Sequence, residues 1–503
     1  MKKITFLLLI PLLATSLVGC ATNGDETLKD TDFDGLYDSI DPNPTNNTYA
    51  VKYYDEASKN FSNPVDVTIN YKDFIYESNP TFNPNIAQIG ASILSETYLA
   101  GGSKFTNDVY QPSLEEVFPI FSQFGHTDIG EIDVGFLDNP EDRTGMYVGH
   151  HKAIIDGKKY QFFFFTIKGY LNMSEWASNF DVGYDSQDYR DVYGDVSGWT
   201  NKKDHKGFAY TANRCYEALK GYIDDNKDKD FEPFVFGCGH SRGGGVTNLI
   251  GKRFNDEQKD IKGLYYCFNT PQTTDENDAN KLSSYKNIFN LVCREDPVSN
   301  VPLLDWGFKL YGNTLYFSLV EHADYFKQID NEEYPGAPSK INELIVKFLK
   351  NLAPDRKSIY EMAEDADPEE FDTKEEANEF AKDINDRLVD ERIKKCVEVV
   401  VEEPEDPEDP YVVKINKRPC TFIELLRLIT SFIVKGPEGT TIEMEEINKI
   451  IENYNEILMS YVGNILDIAL DIEFGLDDIL TAYSKMLKTH GIIGACICAK
   501  FAA

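Results

Sequence analysis

One stretch of the chain, Lys159-Tyr-Gln-Phe-Phe-Phe-Phe-Thr-Ile167, carries four consecutive phenylalanines and so offers an apolar side chain to both faces of a strand. Such a run predicts a central strand covered by helices on both sides. Shorter runs of the same kind follow at Phe234-Val-Phe236, Gly263–Phe268 and Asn287–Cys293. Between them the apolar positions change to helical spacing, over Gly207–Ile223 and again at Val246, Leu249 and Ile250. Strand, helix and strand in alternation predict a mostly parallel sheet flanked by helices, an α/β architecture. Upstream, Ile86–Leu99 and Leu114–Phe124 have helical spacing within a region that mixes polar and aromatic residues. Past Pro335 the character changes. Glu364–Asp386 is densely acidic, Glu402–Pro410 is an acidic proline-rich loop, and Thr440-Thr-Ile-Glu443 reads as a capping box opening a helix that continues to Val462. The expected division is an α/β domain over 51–334 and an acidic helical cap or appended subdomain over 335–503.

Composition adds limits to that division. The chain has 503 residues, 42% hydrophobic and 13% aromatic, enough for a substantial core and too apolar for a disordered chain. Its formal net charge of −35 repels phosphate backbones and no basic patch offsets it, so nucleic acid is excluded as a partner. Residues 1–19 have a basic start, a short apolar core and small residues before a cysteine, which is the pattern of a cleaved secretory signal. Leu17-Val-Gly-Cys20 resembles a bacterial lipobox, and the resemblance implies lipidation of Cys20 and an extracytoplasmic, membrane-anchored protein. Among the nine cysteines, Cys238, Cys267 and Cys293 sit in apolar strand-like runs and read as buried thiols.

The tether that follows, within residues 20–50, holds Asp30-Thr-Asp32-Phe-Asp34-Gly35-Leu36-Tyr-Asp38-Ser-Ile-Asp41. Carboxylates fall at places one, three, five, nine and twelve, with a glycine at six and the Leu36 carbonyl at seven, a spacing that suits oxygen ligation of Ca²⁺. The flanks are not helical, so the segment resembles a thrombospondin type 3-like calcium repeat rather than a helix-flanked EF-hand. It reads as a stalk far in sequence from the chemistry.

That chemistry centres on Gly239-His240-Ser241-Arg242-Gly243, between the Phe234–Phe236 strand and the helix bearing Val246. A serine in a sharp strand-to-helix turn is lifted clear of the sheet, and the positions two before and two after must lack bulk. A serine hydroxyl needs a base and an orienting acid, here expected in the chain order serine, acid, histidine. Asp296 follows the second strand after the serine and is the expected acid, with Glu295 and Asp305 as rivals. Only His322 and His490 lie beyond it. The sequence favours His322, which stands in loop-like composition, over His490, which follows an amphipathic helix. His240 is expected to point away from the serine.

Several motifs together carry a family resemblance. Ile167-Lys-Gly-Tyr170 with Trp176, His205-Lys-Gly-Phe208, Gly239–Gly244, Asp296–Pro302, the strand expected between Gly307 and Phe317, and His322–Phe326 occur in the order found in class 3 lipases. The resemblance covers roughly residues 75–330. It implies an α/β-hydrolase-like, mostly parallel central sheet, to which the residue pattern past Pro335 adds a C-terminal helical appendage. It also implies a serine ester hydrolase of lipid or small ester substrates with the triad Ser241, Asp296 and His322, and an oxyanion hole from the backbone N–H groups of Tyr170 and Arg242. Two positions depart from the family: Tyr170 replaces a small hydroxyl residue, and Arg242 replaces leucine, either to meet an anionic substrate group or to reach solvent. The alternatives are a phospholipase or thioesterase of the same fold, and a non-catalytic calcium-dependent surface lipoprotein on a hydrolase scaffold. Catalysis by the triad needs no cofactor, so Ca²⁺ is expected as a structural ion only.

Overall fold

The structure is a computed structural model that describes residues 29–55, 60–102, 119–123, 130–136, 139–169, 179, 203–302, 304–338, 369–387, 397–404, 406, 409–417 and 485–502. Its centre is a seven-stranded sheet of β1 (Gly130–Phe136), β2 (Asn139–Ile155), β3 (Lys158–Ile167), β4 (Glu232–His240), β5 (Lys262–Phe268), β6 (Ile288–Cys293) and β7 (Asn313–Phe317). The strands lie side by side in chain order. β3 through β7 run parallel and β1 and β2 are antiparallel additions, so the sheet is mixed and mostly parallel. This is the α/β-hydrolase-like arrangement expected, and the β1–β2 hairpin is what the hydrophobic pattern missed.

The four phenylalanines explain why the sheet needs two covering layers. Phe162 and Phe164 enter one core and Phe163 and Phe165 the other, because successive strand side chains alternate in direction. The second core is closed by α2 (Lys206–Asn226) and α3 (Arg242–Glu257). The first is closed by α1 (Pro84–Gly102) and by α5 (Ile492–Phe501). α5 is apolar all round, with Ile493, Ala495, Cys496, Ile497 and Ala499 buried, and a helix of that kind has no solvent face. It lies in the hydrolase core and is not part of an appendage.

The stalk reading of the N-terminal loop also changes. Leu36 is buried in the first core with Tyr71 and Phe74, and the Asp34 carbonyl accepts the Tyr71 N–H at 2.5 Å. The loop therefore docks on the hydrolase domain. Within the region expected to be helical, Val397–Glu402, Tyr411–Lys417 and Glu369–Phe371 form an antiparallel sheet, against which the helix Lys374–Arg387 packs. Val397-Glu-Val-Val-Val is β-branched and suits a strand, and the acidic proline-rich loop is its hairpin connection. Residues 418–484, including the expected Thr440–Val462 helix, lie outside the described residues, as do 1–28 with Cys20. Among the described residues no helix is long and apolar enough to cross a membrane. Cys215, Cys238, Cys267, Cys293 and Cys496 are free and buried, so the thiol reading of Cys238, Cys267 and Cys293 holds.

Candidate active site

Ser241 joins β4 to α3 as the helix N-cap with φ 56° and ψ −130°. That left-handed φ is costly for a non-glycine residue, and it is held here because the neighbours leave no alternative. A Cβ at Gly239 would lie 2.2 Å from the Gly243 carbonyl oxygen, and one at Gly243 would lie 2.2 Å from the Ile167 carbonyl oxygen. Both glycines are required by backbone, which does not move aside. The Ser241 N–H donates to the Phe268 carbonyl at 3.0 Å, tying the elbow to β5, and its own carbonyl accepts from Gly244 at 2.8 Å. Ser241 is 7% exposed at the N-terminus of a sixteen-residue helix, where unpaired backbone N–H groups and the helix dipole favour a developing negative charge.

Asp296 lies just past the end of β6 and is fully buried. Its Oδ1 accepts the Val298 N–H at 3.0 Å and its Oδ2 the Ser299 hydroxyl at 3.4 Å. The group that completes it is His490, whose Nδ1 lies 2.7 Å from Oδ2. A buried carboxylate beside Nδ1 fixes the tautomer with the proton on Nδ1 and leaves the Nε2 lone pair available. Of the two rivals, the Asp305 side chain lies outside what the structure describes, and Glu295 is otherwise engaged. Glu295 accepts from the Ser318 hydroxyl and the Leu319 N–H, so it serves the local chain.

His322 is the expectation that the geometry corrects. It caps α4 (Ala323–Asp330), and its ring stacks on Phe501 at 4.0 Å between centroids. Phe501 ends the helix that begins two residues after His490, and nine residues of helix rise about 14 Å, which places His322 well away from Asp296. His490 was legible in principle: the run Ile492–Phe501 is too apolar for an exposed appendage, so the residue entering it had to lie at the core. His240 makes contacts of its own. It is buried with its ring 4.9 Å from that of His490, and it bonds the His490 carbonyl through Nε2 at 2.6 Å and the Tyr98 hydroxyl through Nδ1 at 2.6 Å. Burial, with His490 nearby, lowers its pKa to about 3. Arg242 is buried with Nη2 3.4 Å from the Thr211 hydroxyl, which removes the solvent reading of that residue. Tyr170 and Trp176 lie outside the described residues.

The acidic loop forms a second cluster. Asp30, Asp32 and Asp34 bring one carboxylate oxygen each within 4.8 Å of one another. Asp30 Oδ1, Asp32 Oδ2 and Asp41 Oδ2 are buried without a hydrogen-bond partner. Burial first, then the neighbouring Asp41, Asp32 and Asp30, raise the Asp34 carboxyl to about 7. Carboxylates driven together, three of them with a buried oxygen that lacks a donor, fit a hard cation with oxygen ligands. Gly35, at φ 99°, makes the turn that faces them inward. Asp38 differs, since it accepts from Thr31 at both oxygens and pairs with Lys29.

Residues 164–306 match the family model of class 3 lipases. That segment contains the end of β3, the elbow and Asp296 but neither histidine candidate, and the match supports a lipase-type ester hydrolase. Among solved structures the chain is similar to a mono- and diacylglycerol lipase from Aspergillus oryzae, at 17% identity over 47% of this chain and 81% of that one with a TM-score of 0.33. It is also similar to a lipase from Rhizopus microsporus var. chinensis, at 16% identity over 48% and 82% with a TM-score of 0.32. No curated protein matches the chain.

Proposed function

We propose that the chain is a serine ester hydrolase of lipid or small ester substrates in which Ser241 is the nucleophile, His490 the base and Asp296 the orienting acid. The observation that carries this reading is the buried 2.7 Å contact between His490 Nδ1 and Asp296, made by a residue whose carbonyl is bonded to the neighbour of the strained serine. In the proposed reaction Ser241 Oγ attacks the ester carbonyl as its proton passes to His490 Nε2. The carbonyl oxygen becomes an oxyanion facing the Arg242 N–H and the N–H of residue 170. Collapse expels the alcohol, which takes the proton from His490. Water then attacks the acyl-enzyme, giving its proton to the same nitrogen, and the acid departs as Ser241 is reprotonated.

The test is hydrolysis of aryl esters of increasing acyl length by the protein beside Ser241→Ala. Turnover that requires the serine supports the reading, and the chain-length profile separates an esterase from an acylglycerol lipase. Turnover retained in Ser241→Ala would sink it.

Two further features belong to the same proposal. The lipobox-like Leu17–Cys20 supports export and anchoring through a lipidated Cys20, which Cys20→Ala should release from the membrane fraction; a variant that stays membrane-bound would remove the anchor. The converging carboxylates of Asp30, Asp32, Asp34 and Asp41, with the Leu36 carbonyl and Asp38 in the remaining ligand places, support a structural Ca²⁺ in the N-terminal loop. Bound there, the ion would neutralise the mutual repulsion of those carboxylates and take no part in hydrolysis.

A further inference from the structure

Four segments far apart in sequence, α1, the end of β3, β4 and the residues leading into α5, meet at Tyr98 and His240. Tyr98 comes from α1, His240 is the last residue of β4, and both are buried. The ends of their hydrogen-bond chain fix every proton in it. The Gly169 N–H can only donate, so the Tyr98 oxygen accepts it at 2.8 Å. The His490 carbonyl can only accept, so His240 Nε2 carries the proton in the 2.6 Å bond to it. His240 is neutral, since burial holds its pKa near 3; Nδ1 is therefore bare and accepts from the Tyr98 hydroxyl at 2.6 Å. The order is Gly169 N–H to Tyr98 O–H to His240, and His240 N–H to the carbonyl of His490.

Resting on the hydrolase reading above, we propose that Tyr98 and His240 are positioning residues that hold the base, the nucleophile elbow and the end of β3 in one register. The chain has the right anchors for that task. Gly169 immediately precedes the residue expected to supply an oxyanion N–H, His240 immediately precedes Ser241, and His490 is the base itself. A Cβ at Gly169 would lie 2.6 Å from the Tyr98 hydroxyl and 3.1 Å from Ser241 Cβ, so the strand end lies close against both the tyrosine and the serine. The His490 carbonyl takes a second donor, Asn269 Nδ2, at 3.2 Å. Two donors on that carbonyl fix the backbone of His490, while Asp296 fixes its ring. A base that enters on a helix remote in sequence from the sheet takes its backbone anchor from the ends of β4 and β5, through His240 and Asn269.

The test compares Tyr98→Phe, His240→Leu and His240→Gln with the parent in steady-state hydrolysis of one aryl ester, with the active fraction counted by a phosphonate that labels Ser241. Tyr98→Phe and His240→Leu should lower kcat per labelled site about 10- to 100-fold with KM within about twofold, the signature of misplaced reacting groups rather than weakened binding. His240→Gln keeps an N–H within reach of the His490 carbonyl and should recover most of the loss. Parental kcat in Tyr98→Phe and His240→Leu would overturn the proposal, and so would equal losses in His240→Leu and His240→Gln, which would mark a packing role. Ser241→Ala is run alongside: turnover surviving in that variant overturns the hydrolase reading itself, whereas abolished turnover beside parental relay variants overturns the relay alone.

Discussion

The two halves of the site are positioned by different means. On the nucleophile side, Ser241 is held by residues within a few places of it, Gly239 and Gly243, and by the adjoining strand ends. On the base side, His490 is held across sequence separations of 194 residues to Asp296, 250 to His240 and 221 to Asn269. The first half is a local motif whose spacing carries its geometry. The second exists only once the C-terminal helix has packed into the core. A local motif keeps its meaning wherever the chain places it, whereas a long-range partner is defined by packing and leaves only indirect marks in the sequence.

The sharpest way to break this comparison is to exchange the two histidines. Ser241→Ala and His490→Ala should each lower kcat by on the order of 10⁴ to 10⁶, since members of a triad act as a unit. His322→Ala, which removes a ring stacked on Phe501, should leave kcat within about threefold of the parent and show its effect in thermal stability. The reverse pattern, with His322 essential and His490 dispensable, would restore the assignment by resemblance and refute the geometry.

How much of this was legible can be traced residue by residue. The four phenylalanines announced a strand with two covered faces, and Gly239-His-Ser-Arg-Gly243 announced the elbow, because side-chain alternation and steric exclusion are local physics. Asp296 was legible from its place after the second strand beyond the serine. His490 is less legible, because it follows an amphipathic stretch and reads as a histidine at a helix C-terminus within the appendage. The mark that would have separated it is the apolar run Ile492–Phe501, which needs a core on every side. The buried Tyr98–His240 pair left no mark at all, since neither residue's surroundings can be inferred before α1 is placed against β4.

A second way to sharpen the contrast lies at the stem from which His490 emerges. Lys488 pairs with Asp330 at 2.8 Å with both side chains largely buried, at 14% and 7% exposure, and Thr489 bonds the Tyr334 hydroxyl at 3.0 Å. The segment between Tyr334 and residue 485 thus leaves and re-enters at one point, adjoining the base. Lys488→Met should lower kcat about tenfold and cost roughly 3 kcal/mol, because it removes the cation paired with a buried carboxylate. Breaking the exposed Lys220–Asp224 pair on α2 by Lys220→Met should do neither, since such pairs contribute about 0.5 kcal/mol or less. Equal effects from the two variants, measured by thermal unfolding and steady-state rates, would show that the stem is no special support for the base.

The smallest expected effect on turnover is at the N-terminal loop, which contrasts with both halves of the site. Without a cation, the Asp34 carboxyl is raised to about 7 from an ordinary value of 3.8. A folded-state pKa above the unfolded one means that the folded protein binds the extra proton between those limits. The stability this contributes is complete below about pH 4 and is lost as pH rises towards 7. In chelator-treated protein, Asp34→Asn should therefore unfold at a higher temperature than the parent at pH 7, and this advantage should vanish by about pH 4. Millimolar Ca²⁺ should reverse the order at pH 7 by on the order of 5 °C, because it stabilises only the chain that retains the carboxylate. Ester turnover at 25 °C should stay within about twofold throughout, as the loop reaches the core through Leu36 and Tyr71 rather than through the site. Loss of turnover on chelation from a protein that remains folded would instead tie the loop to the chemistry, and an Asp34→Asn variant indifferent to both pH and Ca²⁺ would remove the cation from the loop.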